Sequence, residues 1–407
     1  MEVKLKNSYD AIVIGGGPAG SVFAATAAAK GMGVLVLEKR KEIGAPVRCG
    51  EGLAEHWDAG KIPMKLPKGA TNNSFPIGGA ALFGPKFQRL EVRNTESKGW
   101  VLDRKVFDKA LAMQAGRQGA TILPKARVTS LVKEGGKIAG VKFVRMNEEL
   151  EVRAPLVVSA EGMENLIARQ AGFSAVAPLY DVDTCVQYEM VGVECEDLIE
   201  IYFGSAAPRG YVWVFPKGKD SANVGIGVGG LTDGMHGEKG QPDPQGYLDK
   251  FIREHPERFG KATAVSVQGG VISVGAPINE FVKDNFMVIG TAAHQVDPIH
   301  GGGIGLAMQA GYYGAKAAIA AHERKDYSKQ SLYPYETEWR AAAQPTIDKR
   351  LKLRRVLEKM NDDDLNAVFD NLDNKDLEKL LAGDFRPVVT KVLAKRPQLL
   401  KVVSALA

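Results

Sequence analysis

Apolar residues follow two rhythms along this chain. Short unbroken runs at 11–14, 34–37 and 156–159, and one ending at Gly290, lack polar alternation. That is the pattern of strands covered on both faces of a parallel sheet. Between 181 and 230 the pattern changes to period two, with stretches at 184–193, 199–203, 211–215 and 222–228. Consecutive alternating strands predict an antiparallel sheet in a separate layer. Helices are predicted at 18–29, at 100–118 with Asp103 as N-cap, at 165–171, at 245–259 and from the 301–303 glycines to 321. Further strands are expected at 120–123, 126–133 and 265–274, with a hairpin of 137–146 and 149–154. Residues 58–100 are irregular apart from stretches such as 87–92, and predict an excursion over the active site. Residues 231–245 read as a glycine-rich loop. From about 325 the chain is helical and highly charged, with one helix opening at Asp362 and another over 386–403. The class is α/β, or α+β over the whole chain.

The first parallel unit carries candidate chemistry. Its strand runs into Gly15-x-Gly17-Pro18-Ala19-Gly20, and the next strand ends on Glu38, followed by Lys39. Gly15 permits a tight turn, Gly17 lets backbone approach a pyrophosphate, and Gly20 lets the helix pack on the strand. The helix N-terminus offers N–H groups and a positive dipole end to phosphates. Glu38, eighteen residues after Gly20, stands where a carboxylate accepts bonds from ribose hydroxyls. An acid there disfavours the extra phosphate of NADP. The bare glycine pattern also fits a turn that binds nothing; the strand–helix–strand context with the acid is what points to a dinucleotide.

A second glycine site reads Gly290-Thr291, then Pro298, then Gly301-Gly302-Gly303-Ile304 at another helix N-terminus. It suits an anionic or electron-rich group, or close helix packing. Two such sites on one α/β unit favour a long bipartite cofactor such as FAD. The loop holding Arg48, Cys49 and Gly50 is punctuated by Gly44, Pro46 and Gly52, and reads equally as an ordinary surface loop.

The 407 residues, 45% hydrophobic, allow two or three domains. A net charge of +5 does not demand nucleic acid, though it suits an anionic membrane surface or a phosphorylated substrate. Cys49, Cys185 and Cys195 fit neither a disulfide framework nor a zinc pattern, so no metal is expected and a reducing cytoplasm is. No signal peptide, membrane-spanning run or tandem repeat is evident. Basic residues at 349–355 interleave with Leu351, Leu353, Val356 and Leu357. They form either a solvated helical face or a contact for lipid headgroups.

Three glycine-acid sites in this order resemble the flavoprotein superfamily related to p-hydroxybenzoate hydroxylase. Within it, Tyr211-x-Trp213-x-Phe215-Pro216-Lys217, followed by Gly225-x-Gly227, and the Arg48-Cys49-Gly50 loop resemble the geranylgeranyl reductases. Nearly the whole chain is covered. The resemblance implies a discontinuous Rossmann-like FAD-binding domain at 1–75, 100–175 and 276–325. It implies an inserted catalytic domain at 76–99 and 176–275 and a helical region at 326–407. FAD would be held by the residues of both glycine sites, by Arg48, Cys49 and Gly50, by Arg104 near the pyrophosphate or ribityl chain, by Val128 near the adenine, and by the Glu161-Gly162 pair. The superfamily usually has Asp after the distal glycine and Asp-Gly in the middle motif. Thr291 keeps a hydroxyl but loses a charge-assisted bond.

The implied reaction is hydrogenation of isolated double bonds in geranylgeranyl chains, in particular those of archaeal ether lipids. Hydride from reduced flavin and a proton reach the two alkene carbons. Tyr211, Trp213, Phe215 and Pro216 would hold the greasy chain, with aromatic faces stabilising developing positive charge. Three aromatics on one strand face are equally the make-up of a core. Cys49 is the implied proton donor or chain-positioning group. The electron donor would be ferredoxin or NAD(P)H, and the protein cytoplasmic and peripherally membrane-associated. Two other readings remain. A flavin monooxygenase or halogenase of a small aromatic would show rapid oxygen uptake. A non-catalytic lipid-binding flavoprotein would show no turnover.

Overall fold

The computed structural model describes residues 5–58, 62–93, 98–230 and 243–381, the paired segments 232–233 and 239–240, and residues 384, 386, 390 and 391. The loop expected at 231–245 and the helix expected at 386–403 lie largely outside these.

The unbroken apolar runs form the centre of a six-stranded sheet. Its order is Val282–Lys283, Phe286–Val288, Leu156–Ser159, Ala11–Ile14, Val34–Glu38, Thr121–Pro124. All neighbours are parallel except the first pair. Every residue of Ala11–Ile14 and Val34–Glu38 is buried, as a sheet covered on both faces requires. Helix Pro18–Ala28 crosses Ile304–Arg324 so closely that a Cβ at Gly311 would lie 2.3 Å from the Ala19 carbonyl oxygen. Arg127–Glu134, Lys137–Arg145 and Glu148–Arg153 form a three-stranded antiparallel sheet whose Val141, Phe143 and Val152 join the same core.

The alternating stretches form a seven-stranded sheet. Its order is Thr263–Ser273, Val182–Val191, Ser221–Gly229, Tyr211–Pro216, Leu198–Tyr202, Gly79–Phe83, Arg89–Val92. One face carries Val212, Val224 and Ile226 and is covered by Leu248 and Phe251 of helix Pro244–Glu254. The opposite face looks toward the first sheet.

Three expectations are corrected. The irregular 58–100 stretch is not simply an excursion over the active site: Gly79–Phe83 and Arg89–Val92 are the last two strands of the second sheet, with Arg89–Val92 at its edge. The first pairs in parallel with Leu198–Tyr202, a partner too distant in sequence for any local pattern to show. The helix expected over 245–259 breaks at His255, because Pro256 begins a separate turn, Pro256–Phe259. The basic stretch at 349–355 is not a free surface. Arg354 is 5% exposed, and Arg350 and Arg355 are ion-paired to Asp297 and Asp181. Only Lys349 and Lys352 of its basic residues are exposed. They belong to helix Pro334–Leu357, whose Tyr335 and Trp339 are fully buried in the main core. Asp362–Phe369 and Asn374–Leu381 follow, and Leu365, Phe369 and Leu377 pack on Leu90 and Val92 at the far sheet edge.

Candidate active site

The first glycine turn is built from its own neighbourhood. Gly15 has φ +103°, and its N–H donates to the Leu37 carbonyl at 2.9 Å. A Cβ at Gly20 would lie 2.0 Å from the Gly15 oxygen, whereas one at Gly17 would meet nothing within 4 Å. Gly15 and Gly20 are therefore needed for close backbone packing, and Gly17 leaves an open cradle. Gly17 caps the helix through Pro18 without a side-chain hydrogen bond, so the leading N–H groups face that cradle. Glu38 is buried and accepts from Gly16 N at 2.9 Å and Arg40 N at 2.9 Å. Ala126 N–H donates to the Glu38 carbonyl, which brings Val128 to this end of the sheet. Lys39 pairs with Glu164.

The second glycine turn is held from outside. Gly290, at φ +69°, donates to Gln295 Oε1 at 2.7 Å, and Gln295 donates to the hydroxyl of Tyr335. Asp297 accepts from Ile299 N at 2.9 Å and pairs with Arg350. Burial alone would raise the Asp297 carboxyl, but His300 and Arg350 outweigh it and hold it below its ordinary value. Arg354 donates to the Pro298 carbonyl at 3.0 Å, to Asp183 at 2.7 Å and to Glu358 at 2.8 Å. Tyr211 donates to the His300 carbonyl at 2.7 Å. Gly303 then caps Ile304–Arg324 with no side-chain bond. Thr291 Oγ1 would lie 3.7 Å from a Cβ at Gly303, so its hydroxyl stands beside this helix start. A Cβ at Gly290 would be 2.9 Å from Ala19 Cβ, so the two turns meet. Two adjoining uncapped helix N-termini with side-chain-free approaches fit a cofactor with phosphates at one end and an electron-rich ring at the other.

Glu161 lies beside the first glycine turn, where a Cβ at Gly15 would be 3.6 Å from its Cα. It accepts from Ser159 Oγ at 2.7 Å, Ile167 N at 3.1 Å and Ala168 N at 3.2 Å, and so secures the start of helix Leu166–Gln170. Gly162, at φ +70°, supplies the turn. Arg104 makes a bidentate pair with Asp108, both bonds 2.8 Å. Burial would lower its guanidinium, but the Asp108 carboxylate outweighs this and raises it above its ordinary value. Arg104 is also brought to Cys49.

Alternation places Tyr211, Trp213 and Phe215 on one face, opposite Gly227, Gly225 and Asn223. Their rings follow one another at 5.9 and 6.3 Å. The paired glycines make room for the indole: a Cβ at Gly225 would be 2.3 Å from Trp213 Cζ2. The three aromatics are not an open wall. Trp213 is 7% exposed, and Gly50 lies over Phe215, where a Cβ would come within 3.0 Å of its ring. Pro216 is buried at the strand end. The open side of this face is bounded by Tyr211, Cys185, Ile272 and Arg48. A Cβ at Gly301 would be 3.8 Å from both Tyr211 Oη and Ile272 Cδ1, and one at Gly270 would be 3.8 Å from Arg48 Cβ. Burial pushes the Cys185 thiol up, so it stays protonated.

Several residues here escape sequence reasoning. Glu51, 4% exposed, accepts from Lys217 Nζ at 2.8 Å, Asn223 Nδ2 at 2.8 Å and Arg104 N at 2.9 Å. Gln187 bonds both Trp213 and Cys49. The available signal was polarity inside apolar strands, as in Ala222-Asn223-Val224 and Val186-Gln187-Tyr188.

A model of the geranylgeranyl reductase catalytic domain matches residues 181–272, and one of FAD dependent oxidoreductases matches residues 10–178. A digeranylgeranylglycerophospholipid reductase of Methanosarcina acetivorans is 36% identical over 400 residues, covering 96% of this chain and 95% of that protein. One from Methanocaldococcus jannaschii is 35% identical over 403 residues, with 98% of each covered. A solved geranylgeranyl bacteriochlorophyll reductase-like protein of Thermoplasma acidophilum has TM-score 0.86 and 32% identity, over 98% of this chain and 100% of that one. A flavin-dependent brominase, at TM-score 0.73 and 23% identity over 93% and 94%, shares the fold.

Proposed function

Because this chain belongs to the geranylgeranyl reductase family of FAD-dependent oxidoreductases, we propose that it hydrogenates isolated double bonds of geranylgeranyl chains in archaeal ether-linked phospholipids. The observation that carries this reading is the signature strand, Tyr211–Pro216, lying directly beneath the Arg48-Cys49-Gly50 loop and reaching the distal glycine turn through Tyr211.

Bound FAD supplies the hydride. The 15–20 turn would hold its phosphates by backbone N–H groups, Glu38 would meet the ribose, and the 301–303 turn would meet the ring. An isolated alkene is not polarised, so the chain must deliver a proton and keep bulk water away. Cys49 Sγ accepts from Glu51 N at 3.2 Å and lies beside Arg104. As the S–H gives its proton to one alkene carbon, both groups are placed to receive the sulfur's negative charge. The isoprenoid chain lies on the open side bounded by Tyr211, Cys185, Ile272 and Arg48, while Trp213 and Phe215 support the loop from below.

The test is anaerobic incubation of dithionite-reduced protein with an unsaturated archaeal phospholipid. Each reduced bond adds two hydrogens, read by mass spectrometry. No mass gain, or oxygen uptake at the rate of a monooxygenase, would sink the reading. Ferredoxin or NAD(P)H is the proposed electron donor, tested by flavin bleaching with each.

Among the described residues no helix is long and apolar enough to cross a membrane. The lipid substrate supports a cytoplasmic protein that touches the bilayer reversibly. With Arg354 buried and Arg350 and Arg355 ion-paired to Asp297 and Asp181, charge attraction to that surface is weak. Cosedimentation with anionic vesicles should therefore depend little on Lys349 and Lys352; loss of binding in a Lys349→Glu, Lys352→Glu protein would restore the basic helix as the contact.

A further inference from the structure

Residues 39–51 form neither helix nor strand, yet Cys49 must stand at a defined height if it is to reach one alkene carbon. The loop meets the second sheet in three places. Gly50 and Gly52 rest on the Phe215 ring. Glu51 is pinned by Lys217 and Asn223. The third place is Gln187, 4% exposed in the middle of Val182–Val191.

The indole N–H of Trp213 can only donate, and at 2.9 Å it meets Gln187 Oε1. This fixes which end of the amide points where. Nε2 is turned to the Cys49 carbonyl oxygen at 3.2 Å and to Gln268 Oε1 at 3.3 Å, both acceptors. The opposite amide orientation would set donor against donor and acceptor against acceptor. Trp213 thus acts on the loop through its nitrogen as well as through its ring.

We propose that Gln187, oriented by the Trp213 indole N–H, is a positioning residue that sets the height of the Cys49 loop over the sheet and so the point at which the proton is delivered. The inference rests on the assignment of Cys49 in the proposed reaction, and deepens it. A Phe at 213 fills most of the same space but leaves the amide free to rotate. A Glu at 187 still accepts from Trp213 yet, when ionised, offers no donor to the Cys49 carbonyl. Both changes should loosen the loop without emptying the sheet.

The experiment uses the full-length FAD-loaded protein and its Trp213→Phe and Gln187→Glu variants. Iodoacetamide labelling is followed peptide by peptide in mass spectrometry, without lipid, so Cys185 and Cys195 are read separately. The labelling rate of Cys49 is expected to change about three- to tenfold in both variants, the size of one lost neutral hydrogen bond. The flavin spectrum should be retained, and with lipid the spread of partly reduced products should widen. Variants that keep flavin, label Cys49 at the wild-type rate and return the wild-type products overturn the proposal. A wild type that reduces no lipid, or a Cys49→Ala protein that reduces it normally, overturns the role of Cys49 instead. In that case the labelling shift still reports whether Gln187 holds the loop.

Discussion

The turns at 15–20 and 301–303 do the same physical job, each presenting an uncapped helix N-terminus, but they are held in different ways. The first depends on backbone: the Gly15 N–H on Leu37, and the close pass of Gly20 over Gly15. Its side-chain help comes from Glu38, at the end of the adjoining strand. The second turn depends on side chains from afar. Arg350 and Arg354 come from helix Pro334–Leu357, Tyr211 from the second sheet, and Gln295 is itself held by Tyr335. A turn made by local glycines tolerates change elsewhere in the chain. A turn clamped from three directions is coupled to the second sheet and to the C-terminal region.

Arg354→Met should separate the two turns most clearly. It strands Asp183 in a buried site, while Glu358 keeps Arg209 and Arg355, a loss of about 3–5 kcal/mol. Calorimetry should show the lower melting temperature, and flavin titration a weakened hold on the ring end. Unchanged stability would mean that the second turn does not need its clamp. Gly20→Ala attacks the first turn. Its methyl meets backbone at 2.0 Å, an overpacking cost of about 1–3 kcal/mol. Flavin content should fall while the second sheet keeps its thermal transition; a variant with full flavin would show that the turn can relax.

Acid should act on the second turn through His294, which is 4% exposed and donates from Nε2 to the Ala175 carbonyl at 3.1 Å. Burial holds it below the ordinary histidine value. The folded chain then binds fewer protons than the unfolded one, so stability falls as pH drops below about 6.5. The slope is at most about 1.4 kcal/mol per pH unit. His294→Asn should flatten the denaturant midpoint between pH 7 and 5; an unaltered slope would acquit His294. Tyr211→Phe is the mildest change. It removes one hydrogen bond to His300, about 0.5–1.5 kcal/mol. Stopped-flow release of flavin should quicken several-fold, and no change would detach the sheet from the turn.

Much of this contrast was already visible in the order of residues. Strand, glycines, helix and Glu38 occupy one short stretch, so each constrains the next through the backbone, and the 15–20 turn could be read directly. The period-two pattern likewise placed Tyr211, Trp213 and Phe215 on one face, because alternation is a property of the strand itself. The signature resemblance told which family that face belongs to. Local pattern failed where a residue's role depends on what lies across from it. The basic residues at 349–355 look the same in sequence whether they meet water or Asp183, Asp297 and Glu358. Glu161 stands beside the first glycine turn, and only the folded chain shows that its carboxylate also secures the 167–168 backbone.

Composition and periodicity therefore determined the two sheets, the phosphate turn and the aromatic strand, since these follow from steric and hydrophobic preferences acting over a few residues. The resemblance assigns 76–99 to the inserted domain, but only tertiary structure decided how Gly79–Phe83 and Arg89–Val92 pair into the second sheet. It also decided that Gln187 and Glu51 secure the Cys49 loop, and that Arg354 ties three parts of the chain together. Each of those contacts joins residues far apart in sequence. A buried polar group acquires its meaning only from the partner that folding brings to it.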